Sequence, residues 1–303
     1  MYKKESGMDS FHFRFEAMGC GCEIVIAGVS KKEAQSIAGC AIEEVSRIER
    51  QYSRYRPESI VSRINAAAGD ELVECDAETL SLFQYADTLY ENSGGLFDIT
   101  AGVLRKAWDF GKAVVPDQQV LRRQCSLIHW QSVERQGNSI RLPVAQMEID
   151  FGGFGKEYAA DRAAALVYSK GIRYGYVNLA GDIRVVGPKP DETPWLIGIQ
   201  DPRHKGRTIA SIPLVTGALA TSGDYERYFE VDGHRYCHII HPRSGYPVTY
   251  WRSVTVVAPL AITAGSYSTI AMLKEADGLA FLEDSGMGYL AVDHLGEMYY
   301  KNT

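Results

Sequence analysis

The sequence has no apolar run long enough to cross a membrane. Gly, Arg or Asp interrupts each one well before the roughly 18 residues that a spanning helix needs. The first residues, "MYKKESGMDSFHFRF", contain lysines but lack the apolar core of a secretory signal, and no cysteine follows such a core as an acylation site requires. The chain is therefore expected to act in the cytoplasm. It also lacks a basic stripe: the 32 Lys and Arg residues are scattered and the formal charge is −6, which excludes the electrostatic footprint of a nucleic-acid binder. Cysteine pairs at zinc-like spacing are missing as well. The six cysteines (Cys20, Cys22, Cys40, Cys75, Cys125 and Cys237) are dispersed, as suits free thiols in a reducing compartment. Cys20-Gly-Cys22 is at most half a metal site, and buried strand thiols are the expected reading.

What is present is a large apolar inventory. Of 303 residues, 46% are hydrophobic, enough for one large domain or two packed lobes. "FHFRFEAMGCGCEIVIAG" alternates as a strand or hairpin does. "SKKEAQSIAGCAIEEVSRIERQYS" predicts a helix, with Ser30 as cap and Ile37, Ala41, Val45 and Ile48 on one face. "ETLSLFQYADTLYENSGG" predicts another, stopped by Gly94-Gly95. About 40 loop-rich residues follow. "MEIDFGGFGKEYAADRAAALVYSKG" then reads as strand, glycine turn and helix. "YGYVNLAGDIRVVG", "WLIGIQ", "TIASIPLVTGALATS", "YERYFEVDGHRYCHII" and "VTVVAP" form a run of short strands, and Thr263 is expected to cap a helix reaching about Leu273. With no repeat, low-complexity tract or linker, the expected class is a compact α+β unit.

Three stretches combine glycine, acid and base at element ends. In "DFGGFGKEYAAD", Asp150 closes the expected strand, Gly152, Gly153 and Gly155 permit unusual backbone angles, and Lys156 opens a helix whose N-terminus favours an anion. The turn could cradle a phosphate, although it matches neither the Walker pattern nor G-x-G-x-x-G. "VNLAGDI" sets Asn178 and Asp182 around a tight turn, and Ser222-Gly-Asp224 reads equally as a cap or a turn. In "CHIIHPRSGYP", His238 and His241 lie three apart. On a strand they would face opposite sides, so spacing alone favours structural histidines.

In order, "EAMGC", "YSRYRPESIVSRIN", "SGGLFDIT", "DFGGFGKEYAAD", "VNLAGDI", "ATSGDYERYF" and "HIIHPRSG" resemble the ApbE family, the FAD:protein FMN transferases, over nearly the whole chain from about Glu16. The resemblance implies an α+β fold of two lobes, with mixed and antiparallel sheets and flanking helices. It makes residues 1–303 one flavin-transferase domain with residues 1–10 as a disordered tail. It implies cleavage of FAD with Mg²⁺, or Mn²⁺ as the alternative, release of AMP, and attachment of FMN to a Thr or Ser of a target flavoprotein. By motif, Met18, Tyr55, Leu96, Phe97, Asp98, Asp150, Lys156 and Ile239 are the implied FAD contacts. His238 is the implied general base, with Lys156 and His241 beside it in the catalytic set. Gly153, through its backbone oxygen, and Ser268 with Thr269 are the implied metal ligands.

The sequence departs from the family pattern at four places. The acid of the "D-A-x-S-T" helix start is Gly265, within "AGSYST". The acid of "HIIDPRTG" is His241. Cys20 replaces a Thr, and Ala180 replaces a Gly of "NLGGD". Three readings follow. The first is a working transferase whose metal is held differently, by Asp182, Asp224 or His241 with Thr269. The second is an FAD-binding homologue with weak or no transfer, because the acid at 265 is missing. The third is metal-independent chemistry using a charged His241.

Overall fold

The computed structural model describes residues 10–302. In chain order the elements begin with β1 (Ser10–Ala17), β2 (Cys20–Ala27), α1 (Lys31–Tyr52), α2 (Ile60–Ala66), β3 (Val73–Glu74) and α3 (Ala77–Ser93). Next come α4 (Gln118–Cys125), β4 (Glu134–Gln136), β5 (Ser139–Arg141), α5 (Gly155–Ser169), β6 (Tyr174–Leu179), β7 (Asp182–Gly187), β8 (Trp195–Gln200) and β9 (Thr208–Leu214). The chain continues through β10 (Ala218–Gly223), β11 (Tyr228–Val231), β12 (His234–Cys237), β13 (Trp251–Ala258), α6 (Ala261–Leu273), α7 (Gly278–Ser285), β14 (Gly288–Asp293) and β15 (Met298–Lys301). The α+β class expected from the sequence is the observed one. The expected tail at 1–10 lies outside the described residues except for Ser10, which already opens β1.

The chain divides into two compact units. The first contains the residues through Glu49, then Phe154–Thr221 and Thr255–Gly265; the second contains Arg50–Gly153, Ser222–Val254 and the residues from Ser266 on. Strand β13 and helix α6 are each divided between them.

In the first unit the strands follow the order β1-β2-β6-β7-β10, and these neighbours pair antiparallel. Helix α1 buries Ala34, Ala38, Ala41, Val45 and Ile48, the stripe its sequence period predicts. Its expected cap is present: Ser30 Oγ accepts from Glu33 N at 3.3 Å. Helix α5 buries Ala159, Ala160, Ala163 and Ala164, whose small side chains let a helix approach its neighbours closely. The α6 start differs from expectation. The helix begins at Ala261, and its first donors are capped from a distance: Asp161 on α5 accepts from Ala261 N and Ile262 N, each at 2.9 Å. Thr263 is therefore not the cap.

In the second unit, Asp76 caps α3 by accepting from Thr79 N at 2.8 Å, and Gly94 ends that helix with φ +67°. From it Phe83 packs on Trp130 and Phe151, and Phe151 in turn on Tyr52. The loop-rich stretch after α3 holds more structure than its sequence suggested: a 3₁₀ segment at Ile99–Lys106, then α4, a 3₁₀ turn at Trp130–Ser132, β4 and β5. These pieces are too short for a periodic stripe; α4 buries Leu121 alone. The expected strand at "MEID" is not one. Its backbone is held by the Asn65 side chain, which donates to Ile149 O at 3.0 Å and accepts from Ile149 N at 2.7 Å, while Asp150 N donates to Ile99 O at 2.9 Å. Partners of this kind satisfy the backbone without a neighbouring strand. Ser222 and Gly223 end β10 and Asp224 follows, so that stretch is strand and turn and not a helix cap.

Candidate active site

Two tight turns lie at one end of the first unit's sheet. Met18-Gly19 joins β1 to β2, and Ala180-Gly181 joins β6 to β7. In both turns the two central residues have positive φ: +53° and +72° in the first, +57° and +95° in the second. That is the primed hairpin geometry that follows strand twist. Cys22 pairs with Leu179, so the two turns are neighbours at that end. Asn178 fixes the second by accepting from Gly181 N at 2.8 Å. Met18 and Ala180 thus hold a left-handed conformation that a β-carbon disfavours.

Asp182, the first residue after the second turn, is buried and receives Lys156 Nζ at 2.8 Å. Lys156 stands in the first turn of α5, as its sequence context predicts. Burial works against its ammonium, but the Asp182 and Glu157 carboxylates outweigh that and raise its pKa. Burial also raises Asp182, against the attraction of Lys156. Glu157, only 7% exposed, is pushed up to about 8 by burial and then by the Asp182 charge. Its Oε2 has no hydrogen-bond partner. Its carboxyl fills the space beside Gly265: a β-carbon at 265 would lie 2.6 Å from Glu157 Cγ and 2.7 Å from Cδ, closer than atoms pack. Cys20 Sγ lies 3.8 Å from Cys22 Sγ, and all six cysteines are free thiols.

The second unit holds the remaining implied residues in four groups. In the first, Arg54 pairs with the Asp150 carboxylate, donates to Tyr55 Oη at 3.1 Å and lies 5.1 Å from that ring's centre. The Tyr55 ring is 72% exposed, a flat face open to a ligand. In the second, Asp98 Oδ1 accepts from Thr100 N at 2.7 Å and Thr100 Oγ1 at 2.5 Å, and Oδ2 accepts from Trp130 N at 3.1 Å. Only Oδ2 keeps a lone pair for anything further. Burial raises the pKa of this carboxyl. Phe97 is buried beside it, and its ring requires Gly153: an added β-carbon there would lie 2.7 Å from Phe97 Cζ. Leu96 is half-buried.

The third group is the histidine turn. Exposed His238 follows β12, and its N–H donates to Arg227 O at 3.0 Å. Ile239 is buried next to it. His241 Nδ1 faces the backbone N–H groups of Arg243 at 3.3 Å and Ser244 at 3.4 Å, long contacts in the position where a turn-forming carboxylate would accept. Burial holds His241 below the ordinary imidazole value, with the Glu275 carboxylate opposing and the Arg243 charge adding to the effect. As the acceptor of these two contacts, Nδ1 is the nitrogen without a proton. Trp108 Nε1 anchors the same turn by donating to Gly245 O at 2.7 Å. In the fourth, Ser222 Oγ on β10 lies 2.7 Å from Ser268 Oγ and 3.0 Å from Thr269 Oγ1, both on α6.

The family profile of ApbE matches residues 18–291. The chain belongs to the ApbE family. It is 31% identical over 256 residues to the FAD:protein FMN transferase of Vibrio cholerae, covering 82% of this chain and 76% of that protein. It is 32% identical over 263 residues to the FAD:protein FMN transferase of Treponema pallidum, with 79% and 72% covered. The crystal structure of the ApbE protein of Thermotoga maritima superimposes with a TM-score of 0.90 at 33% identity, covering 97% of both chains. Against the ApbE pattern, sequence reasoning missed three residues of this site. Glu157 and Asp161 stood inside the quoted glycine-turn motif, and Ser222 inside "ATSGDYERYF". The signal for Glu157 was an acid directly after Lys156, together with the glycine at 265 where the family resemblance implies an acid.

Proposed function

We propose that this chain is an FAD:protein FMN transferase, which cleaves FAD and attaches FMN through a phosphoester to a Thr or Ser of a target flavoprotein. The observation that carries this reading is the Lys156–Asp182 pair at the start of α5, 2.8 Å apart. It presents a fixed ammonium beside a helix N-terminus, the two features a pyrophosphate needs. Family membership supports it independently.

In the reaction the acceptor hydroxyl oxygen bonds to the FMN-side phosphorus, and the bond from that phosphorus to the bridging oxygen breaks. AMP departs with that oxygen and with the electron pair of the broken bond. His238 takes the proton of the attacking hydroxyl, a role a neutral imidazole fills near neutral pH. Lys156 donates to the phosphate oxygens on which charge accumulates, and Asp182 keeps that ammonium oriented. Tyr55, Met18 and Leu96 offer surfaces for the flat rings of FAD, and Asp150, fixed by Arg54, and the Ile239 backbone offer polar contacts. Asp98 adds one acceptor lone pair beside Phe97. His241 is read as the residue that shapes the turn carrying His238.

Mg²⁺, or Mn²⁺ in its place, is the metal of this reading; when bound it supplies positive charge to the bridging and equatorial oxygens. Among the described residues no group of three or more His, Cys, Asp and Glu could hold a metal. A hard cation here would draw on hydroxyls, backbone oxygen and substrate phosphate as well as carboxylate. Ser268, Thr269 and the Gly153 carbonyl would hold it.

The test is direct. Protein incubated with FAD and Mg²⁺ or Mn²⁺ should release AMP and FMN, and a target domain should acquire a covalent flavin. Lys156→Ala should lower turnover by roughly 10²-fold. Tight FAD binding without cleavage under either metal would overturn the proposal.

A further inference from the structure

We infer that Glu157 supplies, from α5, the anionic oxygen ligand for a divalent cation that position 265 on α6 has lost. The inference rests on the transferase reading above and deepens it. Glu157 is buried, and its Oε2 lacks any partner. Leaving such an oxygen unpaired is costly, and the nearby ammonium, that of Lys156, is already given to Asp182 at 2.8 Å. Glu157 Oε2 is therefore left without a donor of its own.

Gly265 explains why the carboxyl can be there. A β-carbon at 265 would meet Glu157 Cγ at 2.6 Å and Cδ at 2.7 Å, so an acid at 265 and Glu157 in this position exclude each other. The same region holds one carboxyl, delivered from a different helix. Asp161 fixes the start of that helix against α5 through its two bonds at 2.9 Å, so the element that bears Gly265 is tied to the element that bears Glu157. An Mg²⁺ or Mn²⁺ ion takes one or two carboxylates and completes its shell with other oxygens, water and phosphate among them, so a single glutamate is a sufficient anionic ligand.

Mn²⁺ binding to the full chain, with and without FAD, can be followed by electron paramagnetic resonance. Flavin fluorescence in metal-free buffer measures FAD affinity on the same samples. Glu157→Gln keeps the shape and removes the charge, and should weaken Mn²⁺ binding on the order of tenfold or more. The exchange variant, Glu157→Gly with Gly265→Asp, should restore it to near wild type. Thermal melts of each variant establish that it is folded. Wild-type Mn²⁺ affinity in Glu157→Gln, or a folded exchange variant that does not recover binding, would overturn the inference, as would a wild-type chain that takes no Mn²⁺. Loss of FAD binding in the wild type would instead strike at the transferase reading and leave the Mn²⁺ comparison intact.

Discussion

At φ +57°, Ala180 holds a left-handed conformation that costs a residue with a β-carbon roughly 1–2 kcal/mol. Glycine removes that strain but gives the unfolded chain more freedom, an opposing effect of about 0.4–1 kcal/mol. Ala180→Gly should therefore stabilise the protein by roughly 0.5–1 kcal/mol, read as a higher urea midpoint with unchanged slope. Cys20 offers a chemical test at the same sheet end. Its hydrogen bond with Cys22, helped by the Lys156 charge, lowers its pKa to about 7 against the effect of burial, and Cys22 is raised in turn. Iodoacetamide should modify Cys20 well ahead of Cys22, with a rate that climbs through pH 7 as the thiolate forms. Peptide mapping separates it from exposed Cys40. Equal labelling of Cys20 and Cys22, or a midpoint above pH 8.5, would count against the thiol pairing.

At the scale of elements, the Asp161 carboxylate deals with two of the four unsatisfied donors of α6 and also meets Arg184 at 3.2 Å. Asp161→Ala should cost about 1–2 kcal/mol, visible in a thermal melt, whereas an ordinary surface Asp→Ala change would not register. This cap also shows where the sequence was readable and where it was not. Helices α1 and α3 were legible because Ser30 and Gly94 lie beside the elements they bound and the buried stripe follows the helical period. The α6 start was not, because its cap lies a hundred residues upstream. "MEID" misled for a related reason: its apolar residues face the core, but a side chain, that of Asn65, takes the place of a partner strand. In the site, the glycine turn, Lys156 and the histidine turn could be found from local motifs. Glu157 could not, since a first-turn glutamate usually faces solvent, and the room for its buried side chain is seen only in the space beside Gly265.

For the whole molecule, each compact unit is assembled from three separate stretches of chain. A chain cut after Leu260 would lack the Ala261–Gly265 stretch of the first unit and everything from Ser266 on in the second. It should show no cooperative thermal transition and no protease-resistant fragment of either unit; a stable fragment matching either one would refute this. The same interleaving bears on how the protein is made. The β1–β2 hairpin is translated well before the last segment of its unit, which ends at Gly265. At about 5–20 residues per second, the N-terminal strands wait many seconds for those partners. Their exposed edges during that interval are where a chaperone would be expected to act.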